Sequence, residues 1–258
     1  MPTILKHCQH LLIIPVLSLL LFTEAAAQSK SHPFMVSLTG GLSSPLGQFA
    51  DNNVATLSTG SSMIGAAKTG WNGNIQLGYR LNTHFGIALT GGISEYKRDG
   101  DIFAKYYELI YGNTSTVDSK QWSVVKVLAG PTYTAAVSKK LSFRSGLSAG
   151  IAKTAVPGYS FTTHNSTGEV LWVGTVNKAK MPAAFAYQAN AGLGYDLSST
   201  VLLLFDMSYF DATTTNKRIP LMGGPVVISP NPQPVSSQIK EKYKLSALSA
   251  TLGIGFRL

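Results

Sequence analysis

The sequence predicts a closed, eight-stranded antiparallel β-barrel that crosses a membrane on its strands. Three observations predict it. First, a unit of strand, tight polar turn and strand recurs: residues 70–80, 81–84 and 85–94, then 125–136, 137–140 and 141–152, then 185–196, 197–200 and 201–209. In each strand one parity is apolar and the other small or polar, the period of two expected of strands facing two environments. Second, charged residues make up only 13% of the chain, against ~25% in soluble domains, yet no stretch after Ala27 approaches a helical span. An apolar band divided among many short strands satisfies both facts. Third, the chain opens with an export signal.

That signal is residues 1–27. Lys6 and two histidines precede an apolar segment at 11–22, and Ala25, Ala26 and Ala27 form a small-residue cleavage site. The apolar segment is short for a bilayer span, which takes ~20 residues. The domain organisation is therefore a cleaved signal, 1–27, and one barrel domain, 28–258. Cys8 is the sole cysteine and precedes the apolar segment, so the mature chain is expected to lack disulfides, thiolate catalysis and a lipid-anchor cysteine. The net charge of +9 is unchanged by cleavage, because Lys6 and Glu24 leave together. The basic residues are dispersed and the compartment is the envelope, so nucleic acid is not an expected partner.

The strands follow in order. The first, 34–43, sets Phe34, Val36, Leu38 and Leu42 against Ser37, Thr39 and Ser43. The second sets Trp71, Ile75, Leu77 and Tyr79 against Asn72, Asn74, Gln76 and Arg80. The third sets Phe85, Ile87, Leu89 and Ile93 against Gly86, Ala88, Thr90 and Ser94. The fourth turns Val125, Val127, Ala129 and Tyr133 outward and Lys126, Thr132 and Thr134 inward. The fifth opposes Phe143, Leu147 and Ile151 to Arg144, Ser148 and Gly150. The sixth opposes Phe185, Tyr187, Ala191, Leu193 and Tyr195 to Gln188, Asn190 and Asp196. The seventh carries Val201, Leu203, Phe205, Met207 and Tyr209 outward, opposite Asp206 and Ser208 but also Leu202, Leu204 and Phe210. The eighth sets Leu248, Ala250, Leu252, Ile254, Phe256 and Leu258 against Ser249, Thr251, Gly253, Gly255 and Arg257.

Connections alternate in length. The three turns are short, whereas 44–69, 95–121, 153–182 and 211–243 are long. This is the asymmetry of periplasmic turns and extracellular loops in outer-membrane barrels. Aromatic residues fall in two belts on the expected outer surface. Phe34, Tyr79, Phe85, Tyr133, Phe143, Tyr195 and Phe256 sit near the turns; Trp71, Trp122, Phe185, Tyr209 and Tyr243 sit near the long loops. A soluble sandwich or lipocalin-like barrel would carry its apolar face inward and its charges outward.

Several segments carry a resemblance: 39–49 (Thr-Gly-Gly-Leu-Ser-Ser-Pro-Leu-Gly-Gln-Phe), 128–133 (Leu-Ala-Gly-Pro-Thr-Tyr) and the closing 251–258 (Thr-Leu-Gly-Ile-Gly-Phe-Arg-Leu). On these the chain resembles the small OmpA-, OmpX- and OmpW-like outer-membrane barrels, and in particular the porin-family outer membrane protein beta-barrel domain. The resemblance covers the mature chain and implies a cell outer membrane location, outer-membrane lipid and lipopolysaccharide as surroundings, and periplasmic chaperones and barrel assembly machinery as assembly partners. Such proteins often end in an aromatic residue, whereas this chain ends in Leu258 with Phe256 two before it.

The candidate site is the lumen. Lys126, Arg144 and Asp206 have inward parity at middle depths, with Arg80, Asp196 and Arg257 nearer the turns. An eight-stranded barrel is about wide enough for side chains to fill, and charges confined there must find partners. The expectation is a structural polar plug. A gate, in which Asp206 pairs with Arg144 or Lys126 and rearranges to pass small solutes, is the alternative. His164, Ser166 and Glu169 share one loop and contain the residue types of a hydrolytic triad, as in barrels that modify lipid A, but a loop is a poor mount for a precise site. No catalytic residue, metal ligand set or cofactor is expected; the histidines have no metal-binding spacing. In the fourth loop Pro220, Pro225, Pro230, Pro232 and Pro234 surround Val226, Val227 and Ile228, flanked by Lys217, Arg218, Lys240, Lys242 and Lys244. Such a segment suits either surface docking of an unidentified ligand, with its basic flanks against lipopolysaccharide phosphates, or an ordinary solvated loop. The function expected is a non-enzymatic barrel serving envelope integrity or surface interaction. A narrow channel for small or apolar solutes, and a lipid A-modifying barrel enzyme, are the alternatives.

Overall fold

The computed structural model describes residues 33–53, 65–218 and 239–258. The expected export signal, 1–27, and the prolines of the fourth connection lie outside these. The elements run β1 (Phe34–Leu46), β2 (Ala67–Arg80), β3 (Phe85–Arg98), α1 (Gly100–Tyr111), β4 (Thr114–Ser119), β5 (Trp122–Ala136), β6 (Leu141–Val156), β7 (Tyr159–His164), β8 (Val170–Val176), β9 (Ala179–Lys180), β10 (Ala184–Asp196), β11 (Val201–Arg218) and β12 (Ile239–Arg257).

Eight of the strands, in the order β1-β2-β3-β5-β6-β10-β11-β12, form an antiparallel meander, and β12 pairs back onto β1. No edge is left in this cylinder, as a strand wall in lipid requires. The register places Phe34 beside Tyr79, Phe85 beside Tyr133, and Val201 beside Phe256. One end of the apolar wall is therefore level around the barrel.

That end carries three turns of one design. The residue after each strand donates its N–H to the carbonyl that opens the next: Leu81 to Phe85, Val137 to Leu141, and Leu197 to Val201, at 2.8–2.9 Å. The side chain of the following residue takes up the remaining amides. Asn82 Oδ1 accepts from the N–H groups of His84 and Phe85, Ser138 Oγ from Lys140 and Leu141, and Ser198 Oγ from Thr200 and Val201. Asn and Ser are suited to such self-capped turns.

The outer wall is apolar and open. Leu38, Ile75, Leu89, Val127, Leu147, Phe205 and Leu252 all point away from the axis and stay exposed. On β3 the band covers 85–93 and then stops, because Glu95 and Lys97 follow on the same face. Stretches of this length match a tilted strand span of ~9–11 residues.

The structure corrects the sequence reading in three places. The connections 95–121 and 153–182 are folded: β3 and β6 run beyond the band, and α1 packs with the separate three-stranded sheet β4-β7-β8. Trp122 and Tyr243 are not on the outer belt; both are buried inside the barrel. The lumen is also not polar throughout. Its loop end is filled by Phe49, Tyr96, Trp122, Phe210, Tyr243 and Leu245 with smaller residues, the main apolar cluster of the molecule.

Candidate functional site

The interior has three levels. At the loop end, the 3-10 turn Gly47–Phe49 carries Phe49 into the mouth. Its ring packs edge-on to Tyr96 at 5.0 Å and to Trp122 at 5.5 Å, and Trp122 meets Tyr243 at 5.8 Å. Trp122 Nε1 donates to the Gly65 carbonyl at 2.8 Å, so its polar edge is satisfied while the ring fills the bore. Above this cluster lies Arg98. Its guanidinium stacks 3.9 Å from the Phe103 ring centre and 5.5 Å from that of Tyr159, and Nη1 donates to the Pro157 carbonyl at 3.1 Å. Burial pushes the Arg98 guanidinium down to about 10, against the opposing pull of Tyr243, Tyr159 and Tyr107, which leaves it a cation at neutral pH. Beyond the band, it ties the helix-and-sheet cap to the barrel through cation–π contact.

The middle level is a polar mesh. Ser43 Oγ bonds Tyr96 Oη at 2.9 Å and Ser249 Oγ at 2.8 Å. Asn72 Nδ2 donates to Ser249 Oγ, and Asn74 Nδ2 to Asn72 Oδ1 at 2.6 Å. Lys126 crosses here. Its Nζ donates to Gln188 Oε1 at 2.7 Å and lies 5.1 Å from the Phe210 ring centre. A Cβ on Gly92 would collide with Lys126 Cε and Asn74 Oδ1, so the absent side chain at Gly92 makes room for the lysine.

Nearer the turns, Arg144 Nη2 donates to Gln76 Oε1 at 3.2 Å, and Gln76 Nε2 to Thr90 Oγ1 at 3.3 Å. Arg144 and Asp206 share a rung on either side of Gly192. A Cβ on Gly192 would strike the Asp206 carboxylate and the Phe205 carbonyl. Among the described residues, ion pairs join Lys68 to Asp99, Lys244 to Asp211, and Arg257 to Asp196 at 2.7 Å. Asp206 forms no ion pair with Arg144 or Lys126 within 4 Å; the side-chain amide oxygens of Gln76 and Gln188 accept from the two cations instead.

His164, Ser166 and Glu169 lie at the tip of the β7–β8 hairpin and do not assemble as a triad. His164 Nδ1 faces the Gly168 carbonyl at 3.3 Å, and Glu169 Oε2 accepts from Asn165 Nδ2 at 2.9 Å. Parity alone could have located two site residues that the belt expectation missed. Trp122 stands in step with Lys126 and Leu128, and Tyr243 in step with Leu245 and Ala247.

No protein-family model and no curated protein sequence matches the chain. Solved structures with a similar course exist. Neisserial surface protein A is 10% identical, with TM-score 0.43, over 89% of this chain and all of that one. Ail, the attachment invasion locus protein of Yersinia pestis, is 12% identical, with TM-score 0.36, over 86% and 99%. The outer membrane protein OprG from Pseudomonas aeruginosa is 9% identical, with TM-score 0.40, over 86% and 94%. The deciding observation is the closed wall with its apolar band outside. The chain is an eight-stranded outer-membrane β-barrel. Its outward apolar band is the face that membrane lipid covers.

Proposed function

We propose that this barrel is a non-enzymatic, sealed component of the outer membrane that acts through its loop-end cap. The observation that carries the reading is the filled bore. The cluster of Phe49, Tyr96, Trp122 and Tyr243 stands across the lumen above the mesh anchored by Lys126. In this reading Lys126, Arg144 and Asp206 belong to a structural plug, not a gate. The cap presents exposed Leu109, Val170, Leu171 and Val173, which supports a role in surface interaction. Lys97, Lys153 and Lys244, exposed beyond the band, suit contact with lipopolysaccharide phosphates. Folding would pass through periplasmic chaperones and the barrel assembly machinery.

Planar-bilayer recording of the refolded chain tests the seal. The parent protein is expected to pass no stable current. The double variant Trp122→Ala, Tyr243→Ala, which empties the middle of the aromatic cluster, is expected to open measurable conductance. Large, steady conductance in the parent would overturn the sealed-barrel reading in favour of the channel.

A further inference from the structure

Below the mesh, the lumen opens at the turn end into a pocket of about 60 Å³. Gln76, Arg80, Thr132, Arg144, Asn190 and Arg257 contribute its principal polar groups, and no Asp or Glu is among the described residues that line it. Arg144 is spent only in part. Nη2 donates to Gln76, while Nη1 is buried without a partner among the described residues. Arg80 sits exposed at the mouth; its backbone N–H donates to the Pro33 carbonyl, and its guanidinium makes no hydrogen bond or ion pair among the described residues. Arg257 is held by Asp196, and Asp206 lies behind Arg144 across Gly192. Three guanidinium groups therefore face one cavity, and the two carboxylates near them stand outside its wall.

We propose that this pocket binds a small free oxyanion of the phosphate or carboxylate class, held at depth by the Arg144 guanidinium and steered in by Arg80. A guanidinium offers planar, paired donors that match oxyanion geometry. A cavity with low-dielectric walls and one sign of charge concentrates the opposite sign. Size sets the upper limit: the volume is far below the ~300–1,000 Å³ of pockets that take drug-sized ligands. Thr132 and Asn190 supply neutral donors for the remaining oxygens. This inference is independent of the cap, since pocket and cap lie at opposite ends of the sealed bore.

The test is titration of the refolded full chain in detergent micelles with inorganic phosphate at fixed ionic strength, followed by amide chemical shifts. Saturable shifts at Gln76, Thr132 and Asn190 are expected. Arg144→Gln should weaken binding about tenfold, the loss of one charge-assisted hydrogen bond. Arg80→Gln, at an exposed site that does not hold the wall, should weaken it as well and decides the matter if Arg144→Gln fails to fold. Lys139→Gln, on a turn outside the pocket, should leave the titration unchanged. Absence of saturable shifts in the parent would mean that water alone satisfies Arg144 and would overturn the proposal. So would equal weakening in Lys139→Gln, since that is diffuse charge and not a site.

Discussion

Lys126 shows how a single buried cation can be tolerated where carboxylates are absent. Its ammonium is buried with one amide oxygen at 2.7 Å and an aromatic face nearby. Desolvation of such an ion costs several kcal/mol, and replacing it with an apolar chain of similar volume is often neutral or stabilising. Lys126→Met should therefore hold or raise stability. Gln188→Leu keeps the charge and removes its acceptor, and should cost about 3 kcal/mol. Urea unfolding of the refolded barrel in bilayers reads both; a loss in Lys126→Met as large as in Gln188→Leu would contradict this account. The sequence gives the inward parity of both residues but not their partnership. They lie on strands separated by β6 and on different rungs, so pairing them needs the stagger of the closed barrel, which no local pattern encodes.

At the level of elements, legibility tracks how local the deciding interaction is. The three turns were readable because Asn82, Ser138 and Ser198 each cap amides two and three residues on. The strand cores were readable because lipid enforces alternation. The ends were not, since beyond the band both faces meet protein or water and the period of two loses its cause. Helix α1 lies inside a long connection, and its signals are local ones. Asp99 caps it, with its carboxylate accepting from the Asp101 N–H at 3.2 Å, and Gly112 closes it at φ 68°. Ile102, Phe103 and Tyr107 are buried on one side, Tyr107 stacking 5.0 Å from Phe161. Asp99 also binds Lys68 Nζ at 3.1 Å, linking the cap to β2. Asp99→Ala should cost the cap about 1 kcal/mol. Hydrogen exchange should quicken in α1 and β4 while the barrel amides stay protected. Uniform quickening throughout the barrel would mean that cap and wall unfold as one unit.

For the whole molecule, one asymmetry organises everything else: large apolar side chains outside, filling and polar groups inside. A soluble barrel with the same strand order would reverse it, and the difference is energetic. Leu252 is 60% exposed and pairs with Gly40 on one side and Phe205 on the other, midway along the band. Leu258 is 62% exposed but stands at the turn end, where its N–H donates to the Phe34 carbonyl. To water the two positions look alike; to a bilayer they do not. Leu252→Arg should cost about 2–4 kcal/mol of folding free energy in lipid vesicles, and Leu258→Arg no more than about 1 kcal/mol, because the penalty for a lipid-facing charge falls from midplane to interface. Refolding titrations in vesicles, scored by heat-modifiable migration, measure both. Equal and small effects at the two sites would mean that water, not lipid, covers the wall, and the outer-membrane assignment would fall with them.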